Sequence, residues 1–228
     1  MTHPSEWPSL CNEYPVVKYL QHSDWARNVY VPYYGAEVCD TWPAGIATDK
    51  WSPEENKEKT FDLLIYNKIR WEQPEMDAEL RLPILESIKA LGLSYKELVY
   101  GSYKEDEYFS LLSQARAMVF LCEHESQGIA CCEAMSMNVP VFAWDQGFCL
   151  DPNRFGWGDP MISATSVPFF DDTCGMKFKD APEFASKLNS FWYHVQSGTY
   201  QPRQYILNNL TLKKSTERML ELVRSIYI

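Results

Sequence analysis

Residues Phe120–Trp144 read FLCEHESQGIACCEAMSMNVPVFAW, and the fold turns on this stretch. The apolar run Ala117–Leu121 is short and rich in Val and Phe, which predicts a buried strand. Glu123, His124, Glu125, Ser126 and Gln127 then turn the chain polar, and Gly128 follows. Small and apolar residues from Ile129 to Met137 predict a helix packed closely on a sheet. Ser126 is the expected N-cap, Asn138 and Pro140 mark the stop, and a further strand begins at Val141.

A helix that starts where a buried strand ends offers unpaired backbone N–H groups and a partial positive charge at the strand's carboxyl edge. That is a site for an anion such as a phosphate, approached by the amides of Gly128, Ile129 and Ala130, with no side chain on Gly128 in the way. Glu125 and Glu133 flank it, at most roughly 12 Å apart by helical rise. A carboxylate accepts two hydrogen bonds from a vicinal diol, so one Glu can hold a ribose and the other a sugar.

The string Glu125-SQGIACC-Glu133, continued by Ala134-Met135 and by Val139-Pro140-Val141, resembles the E-x7-E signature of retaining GT-B glycosyltransferases of the family 4 type. The resemblance covers roughly residues 40–228 and is sharpest between 115 and 147. It implies a Rossmann-like, doubly wound α/β domain that binds a nucleotide-sugar, in which Glu125 orients the sugar and Glu133 holds the ribose. Two bases neutralise the donor diphosphate in that family. Lys68 stands at the place of the first, after the apolar strand Thr60–Ile69, while Gln73 stands where the second is expected, so Arg70 is the substitute. Tyr103, in the loop after the next strand, matches the wall of the nucleotide base. The catalytic pair is thus Glu125 with Lys68, and the binding set is Glu133, Gly128, Ile129, Ala130, Ser126, Arg70, Tyr103 and His124.

Outward from the motif, Asp77–Leu91 predicts a helix mildly broken at Pro83 and ended by Gly92, Glu97–Tyr100 a strand, and Lys104–Ala115 a helix. Alternating strands and helices are the mark of a doubly wound sheet, with ligands at the carboxyl ends of its strands. Beyond Trp144, Asp151–Asp180 reads as a structured rim carrying Phe155, Trp157, Phe169 and Phe170. Helices follow over Pro182–Val195, Arg203–Asn209 and Leu212–Ile226. Before the motif, residues 41–228 form the expected donor domain and residues 1–40 an N-terminal helical and strand extension. There Asn12–His22 predicts a helix, and Asn28–Tyr33 and Ala36–Trp42 predict strands. The segment Trp42-Pro43-Ala44-Gly45-Ile46 resembles the family's entry into the donor domain, with Ala47 where Asp is usual and Gly45 in a turn.

The chain of 228 residues is 46% hydrophobic, enough for a sizeable core. Its net charge of −10 leaves no basic excess for nonspecific binding of nucleic acid or an anionic membrane. Seven Cys without CxxC spacing indicate reduced thiols, and the polar, Pro-punctuated start shows no signal peptide or span, so a cytosolic protein is expected. The resemblance implies glycosyl transfer from a nucleotide-sugar to a saccharide, lipid or protein acceptor, without a cofactor. Because helix amides and bases carry the leaving-group charge, metal independence is expected. A sugar-nucleotide epimerase and a noncatalytic nucleotide-sugar-binding module are the alternatives. Since the acceptor in GT-B enzymes is held mainly by a first domain, a homodimer or a separate acceptor-domain partner is expected to complete the cleft. The last helix, Leu212–Ile226, is expected to lay its apolar stripe on residues 1–27 or on a second subunit.

Overall fold

Residues Ala115–Cys122 form the central strand of a five-stranded parallel sheet, and every side chain from Ala117 to Cys122 is buried. In the computed structural model, which describes residues 6–54, 57–152 and 162–227, the sheet strands are β3 (Phe61–Lys68), β4 (Tyr95–Val99), β5 (Ala115–Cys122), β6 (Val141–Trp144) and β7 (Gly175–Phe178). Their spatial order is β4-β3-β5-β6-β7, the doubly wound order in which the direction of winding reverses between β3 and β5. Alternation along β3 sends Leu64 and Tyr66 to one face and Leu63 and Ile65 to the other, so both faces are apolar and both are covered.

Helices α3 (Gln73–Met76), α4 (Leu82–Ala90), α5 (Glu105–Gln114), α6 (Ile129–Ser136) and α7 (Ala181–Gln196) run between or after the strands. The apolar sides of α4 and α7 share one core with Leu63, Ile65 and Phe142, while α5, α6 and α8 (Pro202–Asn209) share the other with Leu64, Tyr66 and Phe120. The predicted break at Pro83 appears as a π-helical turn, Asp77–Arg81, that joins α3 to α4. Proline has no N–H to return to the residue four before it, and a wider turn absorbs that gap.

The N-terminal segment departs from expectation. Only α1 (Leu10–Glu13) is helical within the predicted 12–22 stretch; Pro15 stops it, and Tyr19–Gln21 becomes β1. The strand predicted over 28–33 is instead part of helix α2 (Asp24–Tyr34), which ends at Gly35. Its Val and Tyr content suggested a strand, yet Trp25 and Val29, and Ala26, Tyr30 and Tyr34, are buried at helical spacing. Of the second predicted strand only β2 (Cys39–Thr41) forms, and it pairs in parallel with β1. Trp7, Tyr14 and Val17 are exposed.

The last helix, α9 (Leu212–Tyr227), docks on the connection after β2. Ser215 Oγ donates to the Pro43 carbonyl, Trp42 Nε1 donates to the Ser215 carbonyl, and Arg218 pairs with Asp40 at 2.6 Å. Gly45 is required for that approach rather than for a turn, because a Cβ there would fall 2.6 Å from Leu212 Cα. The expected apolar stripe is largely uncovered: Leu212, Leu220 and Val223 are exposed, and Leu222 is the buried apolar residue of the helix. Among the described residues no helix is long and apolar enough to cross a membrane. None of the seven cysteines is in a disulfide. The rim residues Phe155 and Trp157 lie outside the described residues.

Candidate functional site

Register builds the site. Lys68 ends β3 opposite Cys122, the end of β5, so the loop Glu123–Gly128 opens over the carboxyl edge where the winding reverses. Glu123 is buried and holds this loop to the β3 exit by accepting from the backbone N–H groups of Arg70 at 2.6 Å and Trp71 at 3.2 Å. Helix α6 then starts, but its cap is not Ser126. Gly128 takes the N-cap position in the left-handed conformation, φ 76° and ψ 53°, with no side-chain cap hydrogen bond. A Cβ on Gly128 would meet only ordinary contacts, the nearest at 3.6 Å, so the backbone angle is what calls for glycine.

Above this edge lies a cavity of about 470 Å³ lined by Lys68, Glu125, Ser126, Gly128, Ile129, Ala130, Glu133 and Tyr103, all of them predicted site residues. The first N–H groups of α6 have no partner within the helix, as at any helix start. Lys68 and Glu125 form an ion pair, and at 14% and 13% side-chain exposure it is largely buried. The ammonium also sits 4.2 Å from the centre of the Tyr100 ring. The Glu133 carboxylate has no hydrogen-bond partner among the described residues, and burial pushes its carboxyl up to about 7, aided by the charge of Glu105 and opposed by Lys50. It is a half-buried carboxylate with its acceptor capacity open.

Arg70 and His124 are not among the residues that line the cavity. Arg70 donates to the His124 carbonyl at 3.0 Å, pairs with Glu123 and lies over the Trp71 ring, so its donors are directed into the loop. His124 is buried between two rings, stacked on Trp71 and edge-on to Trp25, against the sulfur of Cys149. Both residues brace the motif loop.

Five lining residues escaped the sequence reading: His22, Ala44, Tyr66, Tyr100 and Gln127. Gln127 is buried and clamps Ala44 in both directions, accepting from its N–H at 2.8 Å and donating to its carbonyl at 2.5 Å. The clue available beforehand was a polar residue beside Gly128 together with a Pro-Ala-Gly segment far away in sequence. Tyr66 is fully buried and its hydroxyl lies 2.6 Å from that of Tyr103, making a continuous aromatic wall with Tyr108. The N-terminal unit reaches the site as well, since Trp25 Nε1 donates to the Glu125 carbonyl at 2.8 Å.

Residues 77–154 match the family described as glycosyl transferases group 1. The fold is similar to that of a glycosyltransferase from Rickettsia africae ESF-5, with a TM-score of 0.66 at 12% identity, covering 100% of this chain and 68% of that one. It is similar to the pneumococcal O-GlcNAc transferase GtfA in complex with UDP and GlcNAc, with a TM-score of 0.60 at 13% identity over 96% of this chain and 47% of that one. It is also similar to the sucrose-phosphate synthase of Thermosynechococcus elongatus, with a TM-score of 0.58 at 13% identity over 91% of this chain and 58% of that one. No curated protein sequence matches the chain.

Proposed function

We propose that this chain carries a GT-B glycosyltransferase domain whose cavity takes a nucleotide-activated sugar, and that the glycosyl group is transferred, with retention, to an acceptor. The observation that carries the reading is that an open, half-buried Glu133 carboxylate, the N-terminus of α6 and the Lys68 ammonium line one cavity at the switch point of the sheet. In this reading Glu133 accepts from the ribose diol. The amides of Ile129 and Ala130, with Lys68, receive the diphosphate, and Tyr66, Tyr100 and Tyr103 wall the base. Glu125 meets the sugar hydroxyls.

Transfer demands that a departing diphosphate be stabilised while positive charge grows on the sugar. Donors fixed before the reaction supply the first need, and the Glu125 carboxylate, at the sugar end, supplies the second. The nucleotide leaves without a metal, because the helix amides and Lys68 take the charge that a divalent ion would otherwise take. The acceptor is held by a further domain, in the same polypeptide or in another, because the single five-stranded sheet provides the donor side of a cleft.

The deciding experiment is calorimetry of the chain against UDP, GDP, ADP and their sugar conjugates. One nucleotide series should bind, and its affinity should survive chelation of divalent ions. No binding across the series would end the reading, and binding that requires added Mg or Mn would end its metal-free form.

A further inference from the structure

An anionic diphosphate at the edge of β3 and β5 meets a shortage of cations. Lys68 is paired with Glu125, and Arg70, the other base near the β3 exit, pairs with Glu123, donates to the His124 carbonyl and does not line the cavity. His22 also lines the cavity, and it comes from the N-terminal unit rather than from the sheet.

His22 is exposed, and one ring nitrogen is held. Its Nδ1 lies 3.3 Å from the Trp42 carbonyl, and because a carbonyl only accepts, Nδ1 is the protonated nitrogen. The Trp42 N–H in turn donates to the Gln21 carbonyl at 2.8 Å. Two residues beyond Trp42, Ala44 is held in both directions by the buried Gln127, next to Gly128 at the start of α6. On the other side of His22, Trp25 is tied to the Glu125 carbonyl. The ring therefore hangs from a strap fastened to the motif loop on both flanks. With Nδ1 engaged, Nε2 is the nitrogen left for a ligand.

We infer that His22 is a donor-binding residue whose Nε2 contacts the diphosphate opposite Lys68, supplying the second cationic group of the site from the N-terminal unit. This rests on the nucleotide-sugar reading of the cavity. A phosphate oxygen accepts from Nε2–H of the imidazolium, so the anion and the protonated ring stabilise each other.

The test uses the whole chain and three probes: inorganic pyrophosphate, the nucleoside diphosphate that the wild type binds, and the corresponding nucleoside without phosphate. His22→Ala should weaken pyrophosphate and the nucleoside diphosphate by about tenfold or more, the scale of a hydrogen bond to a charged group. The nucleoside should bind as before. His22→Lys, which restores a cation, should bind both phosphates within a few-fold of wild type. Unchanged phosphate affinity in His22→Ala would overturn the inference while leaving the nucleotide-sugar reading intact. An equal loss for the phosphate-free nucleoside would also overturn it, because a merely structural role has that signature. A wild type that binds none of the three would remove both.

Discussion

Lys68 and Glu125 meet across the ends of adjacent strands, and their ion pair occupies the edge where a diphosphate and its sugar are proposed to lie. A buried pair of this kind is costly to halve, because the surviving charge is left without a partner in a poorly solvated place. Lys68→Ala should therefore lose about 1–3 kcal/mol of stability, below the full penalty for deep burial because the cavity admits water. It should also weaken nucleoside diphosphate binding. Urea denaturation reads the first effect and calorimetry the second. A fully stable Lys68→Ala that binds nucleotide normally would remove Lys68 from the site.

Glu133 gives the site a pH signature. Its carboxyl, ordinarily at 4.5, is pushed up to about 7 by burial, so the folded chain keeps a proton that the unfolded chain has already released. Between those values the folded state binds more protons, and stability falls as the pH rises. Glu133→Gln should flatten that decline, measured as melting temperature from pH 4 to 8. Ribose hydroxyls donate to the ionised form, so wild-type nucleotide affinity should gain on that of Glu133→Gln as the pH rises through about 7. A difference that does not vary with pH would mean that Glu133 does not meet the diol.

The doubly wound sheet was legible because β3 and β5 are apolar runs bounded by turn residues, and Phe120–Trp144 announced its own strand, loop and helix, whereas the short, mixed strand β7 went unread inside the expected rim. What the sequence could not disclose came from contacts between distant segments. The left-handed angle at Gly128 displaced Ser126 from the cap, and nothing local distinguishes a glycine that admits a ligand from one that bends the chain. Arg70 stood near the expected place for a base, yet the buried Glu123 competes for its guanidinium. His22 entered the site beside Trp42, 20 residues on, and Gln127 through Ala44, 83 residues away, and no periodicity encodes such links. The error in α2 had another origin, since residue type suggested a strand where burial follows helical spacing.

Gly45 ties the closing helix to the cavity. An added Cβ would press on Leu212 Cα at 2.6 Å and on its backbone nitrogen at 2.8 Å, where neither neighbour is the end of a flexible side chain. Gly45→Ala should cost about 1–3 kcal/mol, the usual range for overpacking, read by urea denaturation. Ala44, clamped to Gln127, is the next residue along, so nucleotide affinity should fall in the same variant. Wild-type stability would show that the approach of α9 adjusts freely.

Glu125→Gln separates the two ends of the donor. In the free protein Glu125 holds Lys68, so a bound diphosphate has to compete with it for the one ammonium. Removing the carboxylate's charge while keeping its shape releases Lys68 to the phosphates, so nucleoside diphosphate affinity should hold or rise. The nucleotide-sugar carries additional hydroxyls that the carboxylate is proposed to receive, and hydrogen bonds to a charged acceptor are each worth about 1.5–3 kcal/mol. Its affinity should fall by roughly that amount against the gain at Lys68, which narrows or abolishes the preference for nucleotide-sugar over nucleotide. Calorimetry with both ligands on wild type and Glu125→Gln measures the preference directly. Equal losses for the two ligands would place Glu125 on the nucleotide rather than on the sugar, and the proposed division between Glu125 and Glu133 would then be wrong.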